Sequence, residues 1–177
     1  MGDSLSAAHG IKTEKGWVSL LQERLTIQRY PHKVINASIS GETSSGGATR
    51  LKQQLTRHQP SIVIIALGAN DGLRGLSLKS MRSNLQQMVE LSQTDARVQL
   101  IGIRLPPNFG PFVNQRFHRV FEQLARDKQL AFTPYLLKGF ENDPSLFQAD
   151  GLHPTAKAQP KILDTVWVTL KSLLDKS

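Results

Sequence analysis

The chain has 177 residues, 39% of them hydrophobic and 20% charged, with a formal net charge of +8 and no cysteine. That is long enough for one domain with a sizeable core and too apolar for a disordered chain. Without cysteine there can be no disulfide, thiolate nucleophile or cysteine-ligated metal, and the redox compartment stays open. Apolar runs such as Ile62 to Leu67 are too short to cross a bilayer. No charged-then-apolar leader is visible at the start of the chain. No two of the 22 Lys and Arg residues are adjacent, whereas a segment that reads phosphates concentrates them. Nucleic-acid binding is therefore not expected. A dispersed basic surface suits peripheral contact with anionic lipid or acidic substrates.

Trp17, Leu20, Leu21 and Leu25 fall at helical spacing and predict a helix from about Lys15 to Tyr30, stopped by Pro31. Lys33 to Ser38 (KVINAS) reads as a short strand. Gly41, Gly46 and Gly47 mark a Ser/Gly-rich turn, and the helix after it carries Ala48, Leu51 and Leu55 on one face. Beyond Pro60, Ser61 to Leu67 (SIVIIAL) is apolar and rich in β-branched residues, as in a strand buried on both faces. Gly68 to Gly75 reads as a loop. Leu78, Met81, Leu85, Met88 and Leu91 define another helix, with Ser77 as N-cap. Arg97 to Ile103 is the next strand, and the Pro/Gly-rich stretch Leu105 to Pro111 is a loop.

Phe117, Val120, Phe121 and Leu124 form a further helical face, and Leu130 to Thr133 a short strand. Tyr135 to Ala149 reads as irregular chain with a helical turn. Thr155 should cap a long final helix, bent near Pro160, with Ile162, Leu163, Val166, Trp167, Leu170, Leu173 and Leu174 inward. Strand and helix alternate to the end without repeat or linker. This predicts one α/β domain over residues 1–177, its sheet parallel and covered by helices on both faces.

In such a sheet, ligands bind outside the carboxyl ends of the strands. Gly41 follows one predicted strand, and Gly68-Ala69-Asn70-Asp71-Gly72 follows the next. Asp150-Gly151-Leu152-His153-Pro154 precedes the last helix. Ser4, in Gly2-Asp3-Ser4-Leu5, shares this rim if it ends a strand. A serine hydroxyl needs a base, and His153 can be one. Asp150 could hold the other ring nitrogen. The backbone N–H groups of Ser4 and Gly41 and the amide of Asn70 could stabilise an oxyanion. Each piece also has a plainer reading. Asn-Asp-Gly is good turn chemistry, and Asp150 could simply face a helix N-terminus. Asp3 is expected to hold the turn. His9, His32, His58 and His118 read as surface or boundary residues, and no pair among them has metal-ligand spacing with a third ligand nearby.

Taken in order, the four blocks resemble the SGNH, or GDSL, hydrolase family. The stretches NASISGET (36–43), LGANDGLRG (67–75) and IRLPPNFG (103–110) are similar to its bacterial multifunctional thioesterase/lysophospholipase/arylesterase branch, and the likeness covers nearly the whole chain. The resemblance implies a three-layer α/β/α sandwich on a flavodoxin-like, five-stranded parallel sheet. It implies Ser4 as nucleophile, Asp150 and His153 as its partners, an oxyanion hole of Ser4, Gly41 and Asn70, and no metal or organic cofactor. It places the loop around Leu105 to Phe112 near an acyl-chain groove, so Leu105, Pro106, Phe109 and Phe112 are candidate substrate contacts. The expected protein is a monomer acting on small acyl esters or thioesters such as acyl-CoA, aryl esters and lysophospholipids. Two alternatives stay open: a carbohydrate acetylesterase of the same fold, and an impaired member that only binds.

In that family an apolar strand runs into the Gly-Asp-Ser-Leu turn, and here Met1 and Gly2 stand where it would end. The expectation is a domain shortened at its N-terminus, either marginal in stability or closing the gap by direct pairing of the flanking strands. The expected compartment is the periplasm if an export signal precedes Met1, and the cytoplasm otherwise.

Overall fold

Val63, Ile65, Val98 and Leu100 point to one side of a small sheet, and Ile62, Ile64, Ala66 and Ile101 to the other. This period-two alternation divides the core into two halves. The computed structural model describes residues 1–174. Its elements are α1 (Trp17–Ile27), α2 (Ser44–His58), β1 (Ile62–Ile65), α3 (Ala69–Leu73), α4 (Leu78–Ser92), β2 (Arg97–Ile101), α5 (Pro111–Asp127), β3 (Ala131–Thr133) and α6 (Gln159–Leu170). The three strands are parallel in the order β1-β2-β3, with Val63 opposite Val98 and Leu100 opposite Phe132.

Helices α2, α4 and α5 cover one face through Leu51, Met81, Leu85, Met88, Phe117 and Phe121. Helices α1 and α6 cover the other through Trp17, Leu21, Leu25, Ile162 and Val166. The result is the expected α/β/α layering. Phe117 and Phe121 are fully buried and meet edge to face, ring centroids 5.4 Å apart. Burying one such side chain contributes about 1.5–3 kcal/mol. Ser77 caps α4 as predicted, its hydroxyl accepting the Ser80 N–H. Thr43 caps α2 through the Gly46 N–H.

Several expectations are corrected. The predicted strand at Lys33 to Ser38 does not form, so the sheet has three strands among the described residues rather than the four read from the sequence. A strand exists through its ladder, and no β-ladder joins this stretch to β1. A cavity of about 510 Å³ lies between them, lined by Val34, Asn36, Ile62 and Ile64 among others. The expected direct pairing across the gap is therefore not seen. The first residues of the chain span only its upper end. The Met1 ammonium donates to the Ile64 carbonyl at 3.0 Å, and the Ile39 N–H donates to the Gly2 carbonyl at 3.0 Å.

Residues 68–75, predicted as loop, contain the short helix α3. Thr155 does not cap a long helix with its side chain. Its hydroxyl donates to the Leu146 carbonyl, a 3-10 turn (Ala156–Ala158) intervenes, and α6 starts at Gln159. Pro160 therefore stands in the first helical turn, where its missing N–H costs nothing, and does not bend the helix.

Candidate active site

Asp3 builds the turn that presents Ser4. Its side chain is fully buried, and Oδ1 accepts the Leu5 N–H at 3.0 Å. Its carbonyl accepts the N–H groups of Ser6 and Ala7. Burial, and secondarily the field of Glu42, raises this carboxyl to about 6, although the Leu5 N–H and the nearby His153 oppose the shift. Asp3 thus holds the turn, as expected of it.

Across the rim, Asp150 Oδ1 accepts the backbone N–H of Leu152 at 2.9 Å and of His153 at 3.0 Å. Its Oδ2 lies 2.6 Å from His153 Nδ1. The His153 N–H and ring, then the Leu152 N–H, hold the Asp150 carboxyl well below the usual carboxylate range. An ionised carboxylate can only accept, so His153 Nδ1 carries the proton and Nε2 presents a lone pair. Nε2 is 2.9 Å from Ser4 Oγ. The structure therefore brings Ser4, His153 and Asp150 into one hydrogen-bonded line, with residues 149 positions apart joined at its centre.

Gly41 has φ +81, a conformation that favours glycine. A Cβ there would meet only Arg74 Nη2, at 3.5 Å, so backbone geometry, more than crowding within the chain, asks for glycine. The Gly41 carbonyl accepts from Arg74 at 2.8 Å, and the Asn70 amide donates to the Glu42 carbonyl at 3.0 Å. The N–H groups of Ser4 and Gly41 donate to no backbone carbonyl among the described residues. Glu42 is itself held by a forked ion pair with Arg50, which also donates to the Ala37 carbonyl. Behind Asn70, buried Asp71 binds Ser44 in α2, and the Asn84 amide donates to the same Ser44 hydroxyl. The Asn70-Asp71 pair is thus a strut between α2, α3 and α4 as well as a turn.

Ser4 and His153 open onto a cavity of about 800 Å³. Leu105 and Pro106 line it, positioned by Asn114, which accepts the Leu105 N–H and donates to the Pro106 carbonyl. Phe109 and Phe112 do not. Phe109 packs against the core beside α5, and Phe112 is 68% exposed beneath Arg116. Phe109 ends the 3-10 turn Pro107–Phe109, and Phe112 follows the left-handed Gly110 in the first turn of α5. In their place Leu73, Leu137 and Phe147 supply apolar wall.

One histidine departs from expectation, and a second, on the surface as expected, touches the site. His118 is buried in α5, its Nδ1 3.2 Å from the Ile103 carbonyl, and lines the cavity. His9 packs its ring on that of His153, centroids 4.4 Å apart. The i,i+3 spacing of His118 to Phe121, on the apolar face of its helix, was a signal for the first. Nothing in the sequence pattern marks the second. Among the described residues no group of three or more His, Cys, Asp or Glu could hold a metal ion, and no helix is long and apolar enough to cross a membrane.

Residues 1–159 match the GDSL-like Lipase/Acylhydrolase family. The chain is 46% identical over 175 residues to Esterase TesA of Pseudomonas aeruginosa, covering 98% of this chain and 87% of that protein. It is 42% identical to an arylesterase of Vibrio mimicus, over 94% of this chain and 84% of that one. It is 35% identical to thioesterase 1/protease 1/lysophospholipase L1 of Escherichia coli, over 99% and 83%. A crystal structure of TesA superposes with a TM-score of 0.96, covering 98% of this chain and 97% of that chain at 46% identity.

Proposed function

The chain belongs to the GDSL-like lipase/acylhydrolase family, and from that premise we propose how its residues hydrolyse carboxylic esters and thioesters. Ser4 Oγ attacks the acyl carbonyl while His153 Nε2 takes its proton, and Asp150 stabilises the imidazolium that forms. The oxyanion is received by the N–H groups of Ser4 and Gly41 and by the Asn70 amide, which gives one N–H to the Glu42 carbonyl and has a second for the oxyanion. His153 then gives its proton to the leaving alcohol or thiol. Water attacks the acyl-enzyme with His153 again as base, and the acid leaves.

The observation that carries this reading is the line Ser4 Oγ, His153 Nε2, His153 Nδ1, Asp150 Oδ2, with contacts of 2.9 and 2.6 Å, opening onto the cavity. The apolar wall of Leu73, Leu105, Pro106, Leu137 and Phe147 suits a fatty acyl chain. Acyl-CoA, aryl esters and lysophospholipids are the substrate classes we assign. The names of the relatives support an esterase or thioesterase over a pure binding protein, and the apolar wall argues against an acetylated sugar. We assign a monomer that touches anionic lipid peripherally, supported by the net charge of +8. Ser4→Ala should lower turnover of p-nitrophenyl esters on the order of 10⁶-fold. Turnover at the rate of the unaltered chain would end the proposal.

A further inference from the structure

The catalytic imidazole assigned above is fixed on more than its two nitrogens. His9 lies against its ring, centroids 4.4 Å apart and planes tilted by 43°. The chain is built to hold it there. The His9 N–H donates to the Ser4 carbonyl at 3.3 Å, so the turn that presents the nucleophile also returns His9 to the site. Ala8 (φ +58) and Gly10 (φ +73) flank it in left-handed conformations. For a residue with a Cβ such as Ala8 that conformation is unfavourable, and the surrounding contacts must hold it.

The carbonyl of His9 itself is held by Gln148, on the loop that carries Asp150 and His153. Its Nε2 donates to the His9 carbonyl at 2.8 Å and to the Pro154 carbonyl at 3.1 Å. Its own N–H donates to the His153 carbonyl at 2.8 Å. One amide therefore ties the segment bearing His9 to the loop bearing His153. The charged groups that face the imidazole pair are Asp150, bonded to Nδ1, and Asp3, buried beneath the nucleophile turn. His9 is exposed, whereas the His153 side chain is only 20% exposed.

Resting on the reading of Ser4, His153 and Asp150 as the hydrolytic machinery, we propose that His9 is a positioning residue for the catalytic imidazole: its ring, tied to the His153 loop through Gln148, holds His153 between Asp150 and Ser4.

The test compares His9→Phe and His9→Ala with the unaltered chain in kcat and KM on a p-nitrophenyl ester at about pH 7.5, beside their denaturation midpoints. His9→Phe keeps a ring against His153 and should keep kcat within about twofold. His9→Ala removes the ring, so kcat should fall by roughly three- to tenfold with KM little affected. The ring-proton chemical shifts of His153, followed by NMR in Ser4→Ala and in Ser4→Ala with His9→Ala, read the same contact without turnover, and a change in the second protein supports the proposal. Equal kcat in the unaltered chain and His9→Ala, or equal losses in His9→Phe and His9→Ala, overturn it. If Ser4→Ala itself hydrolyses at the unaltered rate, the underlying reading fails instead, so the two failures are told apart.

Discussion

The carboxylate of Asp71 binds Ser44 twice, accepting its N–H at 2.8 Å and its hydroxyl at 2.5 Å. Both residues are buried, and the bond joins the start of α2 to the helix that carries Asn70. Asp71→Ala leaves a buried N–H without its acceptor, at a cost of about 1–3 kcal/mol. It also frees Asn70 to drift from the carbonyl it must polarise. The expected result is a lowered denaturation midpoint and a fall in kcat larger than any rise in KM. Parallel denaturant and kinetic measurements check both.

Asp3 makes stability depend on pH in an unusual direction. Burial raises its carboxyl to about 6 from the ordinary 3.8. The folded chain therefore binds this proton more tightly than the unfolded one. Its contribution is most favourable below about pH 3.8, declines as pH rises and is lost above about 6. The difference amounts to about 3 kcal/mol. Asp3→Asn keeps an acceptor for the Leu5 N–H and removes the charge. Urea denaturation from pH 4 to 8 should show a flatter profile between 4 and 6 and greater stability at pH 7.5. Identical slopes for the two proteins would contradict the assignment.

Gly10 is required twice over. Its φ is +73, and a Cβ there would stand 2.0 Å from Gln148 Oε1. Gly10→Ala should destabilise by about 1–3 kcal/mol and push aside the amide that ties His9 to the His153 loop. Thermal melting should show the loss of stability, and activity should fall in the folded protein at 25 °C. A variant with unaltered melting and turnover would count against this tie.

Leu73 lines the cavity and is 38% exposed, so it can be changed without opening the core. Leu73→Glu should leave p-nitrophenyl acetate hydrolysis nearly intact and reduce kcat/KM for eight- to twelve-carbon chains by roughly tenfold or more, since each buried methylene is worth about 0.8 kcal/mol. A chain-length series on both proteins gives the answer. Equal losses at every length would remove Leu73 from the acyl site.

The proposed contact with anionic lipid rests on the net charge of +8. Co-sedimentation should be stronger with phosphatidylglycerol vesicles than with phosphatidylcholine vesicles, and should weaken between 0.05 and about 0.5 M salt as charges are screened. Equal, salt-independent recovery with both compositions would exclude the charge-based contact.

What could be read from the chain alone followed from local chemistry. Apolar periodicity in 17–25, 78–91 and 117–124 marks helices whose buried faces are those residues. The β-branched run at 62–65 is a strand because β2 lies beside it. Residues 33–38 carry only Val34 and Ile35 as β-branched positions and form none, because so weak a propensity cannot replace a hydrogen-bonding neighbour. In the site, Ser4, Asn70, Asp150 and His153 were legible from type and order. Phe109 and Phe112 were misplaced, because the direction in which a Pro/Gly turn sends a ring depends on its packing.

The sequence by itself determined the kinds of group available, the layered α/β class and the short-range geometry of Asp150 with His153, which are three residues apart on one loop. The tertiary structure alone decided which distant groups meet. It set Ser4 Oγ 2.9 Å from an imidazole 149 residues away, and it laid His9 on that same ring. Neither contact has a periodicity or a motif to announce it. Both depend on how two core halves orient a turn and a loop across the sheet, and that is a property of the whole packed chain.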